Sequence, residues 1–277
     1  MYTFPMSGPV DVNAEVLSNT RLSPDYNVLA LAAPQVASAT LPGQFVMVKK
    51  DGGSDPLLRR PFSVFEILRD QHGRVRGLSL LVKRVGVSTE LLYHASPGDR
   101  VNCLGPLGRP FSPVAPPAEA WMVAGGVGLA PFATLTEALQ RLRTATTLFY
   151  GGRAADDLFY QEWFVRAGVR LVVATEDGSL GIHGRVTVPL EQALREHEAA
   201  PDIRIYACGP EPMLKAVAKL STTWKRKSEL SMERIMGCGM GGCYSCVVRV
   251  RDAAGRAHFA RSCSAGPVFN GDDIVWD

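Results

Sequence analysis

The chain has 277 residues, 30 Lys and Arg against 27 Asp and Glu, and a formal net charge of +3. At roughly 150 residues per domain this predicts about two domains, with room for a smaller third, and a core that needs no disulfides. A charge so balanced, with 46% hydrophobic residues, excludes a disordered chain and a nucleic-acid or other polyanion binder.

Met1 to Pro9 lacks the charged segment and apolar core of a secretory signal. The longest uncharged apolar stretch, Ala120 to Thr136, holds Gly125, Gly126, Gly128 and Pro131 and is too short and too broken to span a bilayer. The expected setting is the cytoplasm, with no membrane partner and with reduced thiols.

The elements come in three rhythms. β-rich runs recur at Val10 to Val16, Asn27 to Ala32, Gln44 to Lys49, Phe62 to Ile67, Leu78 to Val85 and Arg100 to Leu104. Turn formers such as Leu41-Pro42-Gly43, Asp51-Gly52-Gly53 and Ser96-Pro97-Gly98-Asp99 separate them, and Ser88 to Tyr93 reads as one helical interruption. This predicts an antiparallel barrel or sandwich over residues 1–113. Gly105 to Pro117, with five prolines in 13 residues, marks the boundary.

Over residues 114–222 apolar strands at Trp121 to Ala124, Thr147 to Tyr150, Leu171 to Thr175 and Ile203 to Ala207 alternate with helices at Pro131 to Leu142, Leu158 to Ala167, Pro189 to His197 and Pro210 to Leu220. That alternation predicts a doubly wound parallel sheet. From residue 223 to 277 glycines and cysteines take over, with a strand at Cys246 to Val250, a turn at Asp252 to Gly255 and a run to Ala260. A piece of this size is short of core and needs a staple.

Cys238, Cys243, Cys246 and Cys263 supply one. Their spacing, C-x4-C-x2-C-x16-C, is the plant-type pattern for a 2Fe-2S cluster, in which three thiolates come from one tight loop. Gly237, Gly239, Gly241 and Gly242 let the loop bend and turn its amides toward sulfur. A structural zinc site also uses four cysteines and stands as the alternative, although its ligands more often come from two separate hairpins. Cys103 reads as a small buried hydrophobe.

Gly125-Gly126-Val127-Gly128-Leu129-Ala130-Pro131 follows the first strand of the second domain and opens its first helix, where a pyrophosphate can approach backbone amides. Pro131 replaces the third glycine of G-x-G-x-x-G, and a tight turn without ligand remains a reading of the loop on its own. Two more loops, at Thr175 to Ser179 and Cys208-Gly209-Pro210, close later strands on the edge where open parallel sheets bind ligands. Gly151-Gly152-Arg153 stands where an acidic residue would hold a ribose hydroxyl, which leaves the choice between NAD and NADP open. In the first domain Arg59 and Arg60 put two guanidinium groups beside a strand, suited to phosphate.

Together these motifs resemble the ferredoxin-NADP reductase superfamily: Arg60-Pro61-Phe62-Ser63, the glycine loop through Gly125, Gly126 and Gly128, and Cys208-Gly209-Pro210, in that order. With Glu233, Met236, Cys238, Gly239, Gly241, Cys243, Cys246 and Cys263 to Phe269 the chain is more specifically similar to the electron-transfer subunits of type B dihydroorotate dehydrogenases. The resemblance covers nearly the whole chain. It implies a FAD-binding β-barrel, a NAD-binding α/β domain and a small 2Fe-2S domain. It further implies that Arg60 binds the FAD phosphate region, that Ser63 lies near the flavin N5, and that Leu81, Val82, Lys83, Gly86, Ser88 and Thr89 form a second FAD segment. Ser88-Thr89 stands where the family usually has Gly-Thr. Cys208, with Ser63 the expected catalytic residue, would lie near the nicotinamide, and Gly209 and Pro210 beside it.

The resemblance also implies a partner, an FMN-containing subunit that oxidises dihydroorotate, two copies of each forming a heterotetramer. Electrons would leave FMN, cross the cluster, reach FAD and exit on NAD. Leu230, Met232, Ile235, Met236, Met240 and Tyr244 around the loop are candidates for its contact, or for ordinary packing. Two other readings stand beside it: a reductase feeding an oxygenase, hydrogenase or sulfur-metabolising enzyme, and a redox sensor or zinc-stabilised binding module without flavin.

Overall fold

The computed structural model describes residues 8–52, 56–198 and 202–276. Gly53 of the expected turn and most of the Met1 to Pro9 segment lie outside them.

The first domain is a single antiparallel sheet built from β1 (Val10–Ser23), β2 (Tyr26–Ala32), β3 (Phe45–Lys50), β4 (Arg60–Ser63), β5 (Ile67–Arg69), β6 (Val75–Lys83) and β7 (Arg100–Leu107), in the order β4-β3-β7-β1-β2-β6-β5. A six-residue helix, α1 (Pro34–Ala39), and α2 (Val87–Tyr93) cover its ends. The run expected as one strand, Phe62 to Ile67, is split between the two edges. The Val64 N–H donates to Gln44 O while the Phe65 N–H donates to Ser79 O, so this short bridge closes the sheet on itself. Leu29, Leu31, Val46, Val48, Leu78, Leu80 and Val101 fill the enclosed core.

The second sheet runs β11 (Ile182–His183), β10 (Arg170–Thr175), β9 (Thr146–Gly152), β8 (Glu119–Gly125), β12 (Ile203–Cys208), β13 (Ser228–Ser231) and β16 (Val268–Asn270) across its width. Every neighbour pair is parallel except β13 with β16. Side chains on β8 alternate between two cores, as a buried strand requires. Met122 and Ala124 face α3 (Ala130–Leu142) and α4 (Gln161–Arg166), and Trp121 and Val123 face α5 (Thr187–Glu196) and α6 (Glu211–Thr223). The helix expected from Leu158 starts at Gln161, because Ala155–Asp157 forms a 3-10 turn and Tyr160 takes a left-handed conformation, φ 58°.

The sheet crosses the division expected at residue 222, since β13 and β16 come from the carboxyl-terminal stretch. What remains of that stretch is the cysteine loop, a two-stranded ribbon of β14 (Val247–Arg251) and β15 (Ala257–Arg261), and the one-turn α7 (Ser262–Ala265). It has no core of its own. Met236, Cys246 and Cys263 pack against Phe45, Met47, Leu104 and Leu107 of the barrel, and Val248, Val250 and Ile274 pack on the parallel sheet.

Candidate functional site

A cavity of about 1390 Å³ opens between the two large domains. A drug-sized ligand ordinarily occupies about 300–1,000 Å³, so there is room here for two. The barrel side is formed by Arg60, Pro61, Phe62 and Ser63 of β4, by Leu81 and Lys83 of β6 and by Gly86, Ser88 and Thr89 at the start of α2. Facing them are Gly125, Gly126 and Gly128 after β8 and Cys208, Gly209 and Pro210 after β12. Of the cofactor residues expected from sequence, Val82 alone does not line the cavity. Strand periodicity is the reason: Leu81 and Lys83 point toward the cavity, so the Val82 side chain points into the barrel core with no exposed surface.

The residues on the barrel side suit an anionic dinucleotide. The Arg60 guanidinium donates to Leu58 O at 3.0 Å and Arg59 O at 3.2 Å and has no carboxylate partner among the described residues, so its charge remains available. Arg59, by contrast, is engaged by Asp11 and Asn102, both at 2.6 Å, away from the cavity. The Ser88 hydroxyl is buried without a hydrogen-bond partner, which a ligand oxygen would supply. Thr89 has a structural part: its Oγ1 accepts the N–H groups of Val85 and Gly86, at 2.8 and 3.0 Å, and fixes the loop. Lys83 lies over the Tyr26 ring, 5.2 Å from its centroid.

On the other side the glycine loop and the Cys208 loop are in contact. A Cβ on Gly128 would stand 2.1 Å from Cys208 O, and one on Gly125 would stand 2.8 Å from Pro210 Cδ. Cys208 is buried, and burial pushes its thiol up to about 12, with Glu233 adding to the rise and Ser231 opposing it. It is a neutral thiol at physiological pH. Arg153, Glu176 and Glu233, which stand in stretches that the sequence singled out, also line the cavity, together with Ser231, Met213 and Asp157, which it did not.

Cys238, Cys243 and Cys246 lie on the loop, and Cys263 reaches them from α7. Among the described residues no three His, Cys, Asp or Glu side chains converge on a single ion position. Cys243 is near enough to Cys238, and Cys263 to Cys246 and Cys238, for each to influence the other's ionisation. Amides point at sulfur as expected: Cys238 Sγ accepts the N–H groups of Met240 at 3.4 Å and Gly242 at 3.3 Å. Such donors stabilise a thiolate ligand. The exposed Cys243 thiol is lowered to about 6 by the Ser245 hydroxyl and amide together with Cys238, whereas burial and the neighbouring Cys246 push Cys263 up to about 11.

Phe45 and Met236 both line the cavity and belong to the same buried cluster as Cys246 and Cys263, which places the cavity and these thiols on one apolar cluster. Of the apolar residues expected around the loop, Leu230, Met232 and Met236 are buried, while Ile235, Met240 and Tyr244 are 86%, 62% and 63% exposed. No helix among the described residues is long and apolar enough to cross a membrane.

Family models match three consecutive stretches: an oxidoreductase FAD-binding domain at residues 13–111, an oxidoreductase NAD-binding domain at 122–219 and the iron-sulfur cluster binding domain of dihydroorotate dehydrogenase B at 233–275. The chain is 36% identical over 265 residues to the dihydroorotate dehydrogenase B (NAD(+)) electron transfer subunit of Desulforamulus reducens, covering 96% of this chain and 98% of that one. It is 38% identical over 249 residues to the subunit of the same name from Geobacillus kaustophilus, covering 89% and 91%. Among solved structures it is similar to an NADH-dependent reduced ferredoxin-NADP oxidoreductase studied for flavin-based electron bifurcation, with 26% identity and a TM-score of 0.79 over 96% of this chain and 90% of that one. It shares its fold with the ferredoxin reductase in carbazole 1,9a-dioxygenase, with 24% identity and a TM-score of 0.67 over 80% and 68%.

Proposed function

The chain belongs to the family of electron-transfer subunits of dihydroorotate dehydrogenase B, and on that premise we propose how its own residues carry the electrons. It is an oxidoreductase subunit that uses FAD, a 2Fe-2S cluster and NAD, works with a dihydroorotate dehydrogenase catalytic partner and serves pyrimidine biosynthesis. Its fold is shared with reductases of oxygenase systems, so it is the sequence identity over nearly full length that selects the partner.

The reading rests above all on Phe45 and Met236, which line the cavity and belong to the same buried cluster as Cys246 and Cys263. When bound, FAD exchanges a hydride with nicotinamide and single electrons with the cluster, and no acid or base from the protein is required. Arg60 and the unpartnered Ser88 hydroxyl hold the flavin's phosphates. Ser63 lies on the same wall and orients the reactive ring. Gly125, Gly126 and Gly128 leave room for the pyrophosphate of NAD, and Cys208, Gly209 and Pro210 form the floor beside its nicotinamide. The neutral Cys208 thiol packs there without adding charge, and the domain contact around it keeps water from the reacting rings. Cys238, Cys243, Cys246 and Cys263 hold the irons.

Ile235, Met240 and Tyr244 form the contact with the partner, which carries FMN and assembles with this chain as two copies of each, in the cytoplasm. The test is reconstitution. Anaerobically prepared protein should contain FAD, iron and sulfide, reduce its flavin with NADH alone, and support dihydroorotate oxidation by NAD only once a dihydroorotate dehydrogenase catalytic subunit is added. Protein that binds zinc and no flavin, or that does not respond to the added subunit, would refute the reading.

A further inference from the structure

Two asparagines of the barrel hold the helix that carries part of the flavin site. Gly86 and Ser88, at the start of α2, line the cavity, and Thr89 ties that loop to the helix behind it, its Oγ1 also donating to Gly86 O at 2.8 Å. α2 has seven residues and spans about 10 Å, so the loop and the helix move as one piece. Where that piece stands is set at its far end. The carboxyl end of a helix leaves carbonyls without intrahelical donors. Here Leu92 O, Tyr93 O and Ala95 O converge on Asn19 Nδ2 of β1, at 3.1, 3.0 and 2.8 Å.

Three carbonyls around one side-chain atom require that atom to be the amide nitrogen, which leaves the Asn19 oxygen facing β2. There the Asn27 Nδ2 donates to it at 2.6 Å. Asn27 has no exposed surface, and its own Oδ1 is buried without a partner among the described residues. An amide buried with an unpaired oxygen costs free energy that an apolar side chain of similar size would not, so packing does not explain it. What the amide supplies is the bond that fixes which way Asn19 points. Register agrees with this, since Asn27 pairs with Val82, whose side chain faces the enclosed core, while the neighbouring pair, Tyr26 with Lys83, faces the cavity. Other contacts of α2 fix its position less closely. Leu92 and Tyr93 are buried, but apolar packing has no direction, and the Tyr93 hydroxyl adds one bond, to Ser23 O at 3.0 Å.

We propose that Asn19 and Asn27 are positioning residues for FAD: the pair fixes α2 along its axis, so that Gly86 and the Ser88 hydroxyl meet the flavin's phosphates in place. Neither asparagine lines the cavity. The proposal rests on the reading of Ser88 as a phosphate ligand.

Titration of flavin-free full-length protein with FAD, followed by quenching of flavin fluorescence, tests this without turnover. Ser88→Ala should raise the FAD dissociation constant several-fold, and Asn19→Ala should raise it by on the order of tenfold, the loss expected of one net buried hydrogen bond. In the Asn19→Ala background Ser88→Ala should then add little, because the hydroxyl is already out of place. Asn27→Leu, which removes the unpaired oxygen, should weaken FAD binding while the flavin-free protein melts no lower than the parent, a split that a merely structural asparagine would not give. Iron content should not change. Additive losses for Ser88→Ala and Asn19→Ala, or an Asn27→Leu variant that melts lower yet binds FAD as the parent does, would overturn the assignment. If Ser88→Ala alone leaves FAD binding unaltered, the reading of Ser88 falls and takes the assignment with it.

Discussion

Gly126 and Gly128 sit two positions apart and are glycine for different reasons. At Gly128 the constraint is contact, since any Cβ would meet the carbonyl of Cys208. At Gly126 there is nothing within 4 Å, but φ is +53°, a conformation that costs an L-residue roughly 1–2 kcal/mol. Gly128→Ala should therefore act on stability, lowering the melting temperature by the few degrees that follow from about 1–3 kcal/mol of overpacking. Gly126→Val should act on the ligand, because its side chain projects into the open cleft. The KM for NADH should rise several-fold with flavin content unchanged, and unaltered kinetics would refute the placement. Cys243→Ser should abolish iron binding and the cluster's absorbance while FAD stays bound, as iron and flavin assays would show. Arg60→Ala, in turn, should lower flavin occupancy after gel filtration. Spacing and the family resemblance picked out these positions in the sequence, but they could not say which glycine touches protein and which faces the ligand.

The bridge between β4 and β5 shows what a single element decides. Alternation over Phe62 to Ile67 reads as one strand, but closure of the barrel divides it and places Glu66 in a half-buried position between the domains. Burial raises the Glu66 carboxyl above its ordinary range, the Ser79 hydroxyl opposes this and nearby Glu137 adds to it. A carboxyl raised in the folded state favours folding at low pH, and that contribution is lost as pH rises through the raised value. Between about pH 4.3 and that value the parent should lose stability that Glu66→Gln retains. The difference in melting temperature between variant and parent, followed from pH 4 to 8, should therefore grow with pH; a constant difference would exclude the effect. Asp157 has the opposite sense. Partial burial works against its ionisation, but Arg153 and Tyr26 hold it below the usual range, so its tie between the domains weakens only in acid.

At the scale of the molecule, the carboxyl-terminal stretch is a coupling device without a core of its own. Its cysteines rest on the barrel and its ribbon rests on the parallel sheet, and its two remaining strands complete that sheet. Loss of the irons should therefore loosen more than the loop. In hydrogen exchange, chelation should lower protection at residues 236–246 and at β3 and β7, while β9 and β10, on the far side of the sheet, keep theirs. Equal loss everywhere would mean that the stretch is not locally coupled.

Local chemistry determined most of what the sequence declared by itself. The thiol spacing pointed to the cluster and the alternation of strands with helices to the sheet, because each depends on residues close together in the chain, and the resemblance carried by Arg60 to Ser63 and the glycine loop implied the ligands. The tertiary structure decided what depends on distant partners: that Val82 faces the core while its neighbours face the cavity, that Asp157 joins Arg153 to Tyr26 across the domains, and that β13 and β16 belong to the nucleotide-binding sheet. Charge neutralisation and strand pairing act through space, across separations that no local pattern records.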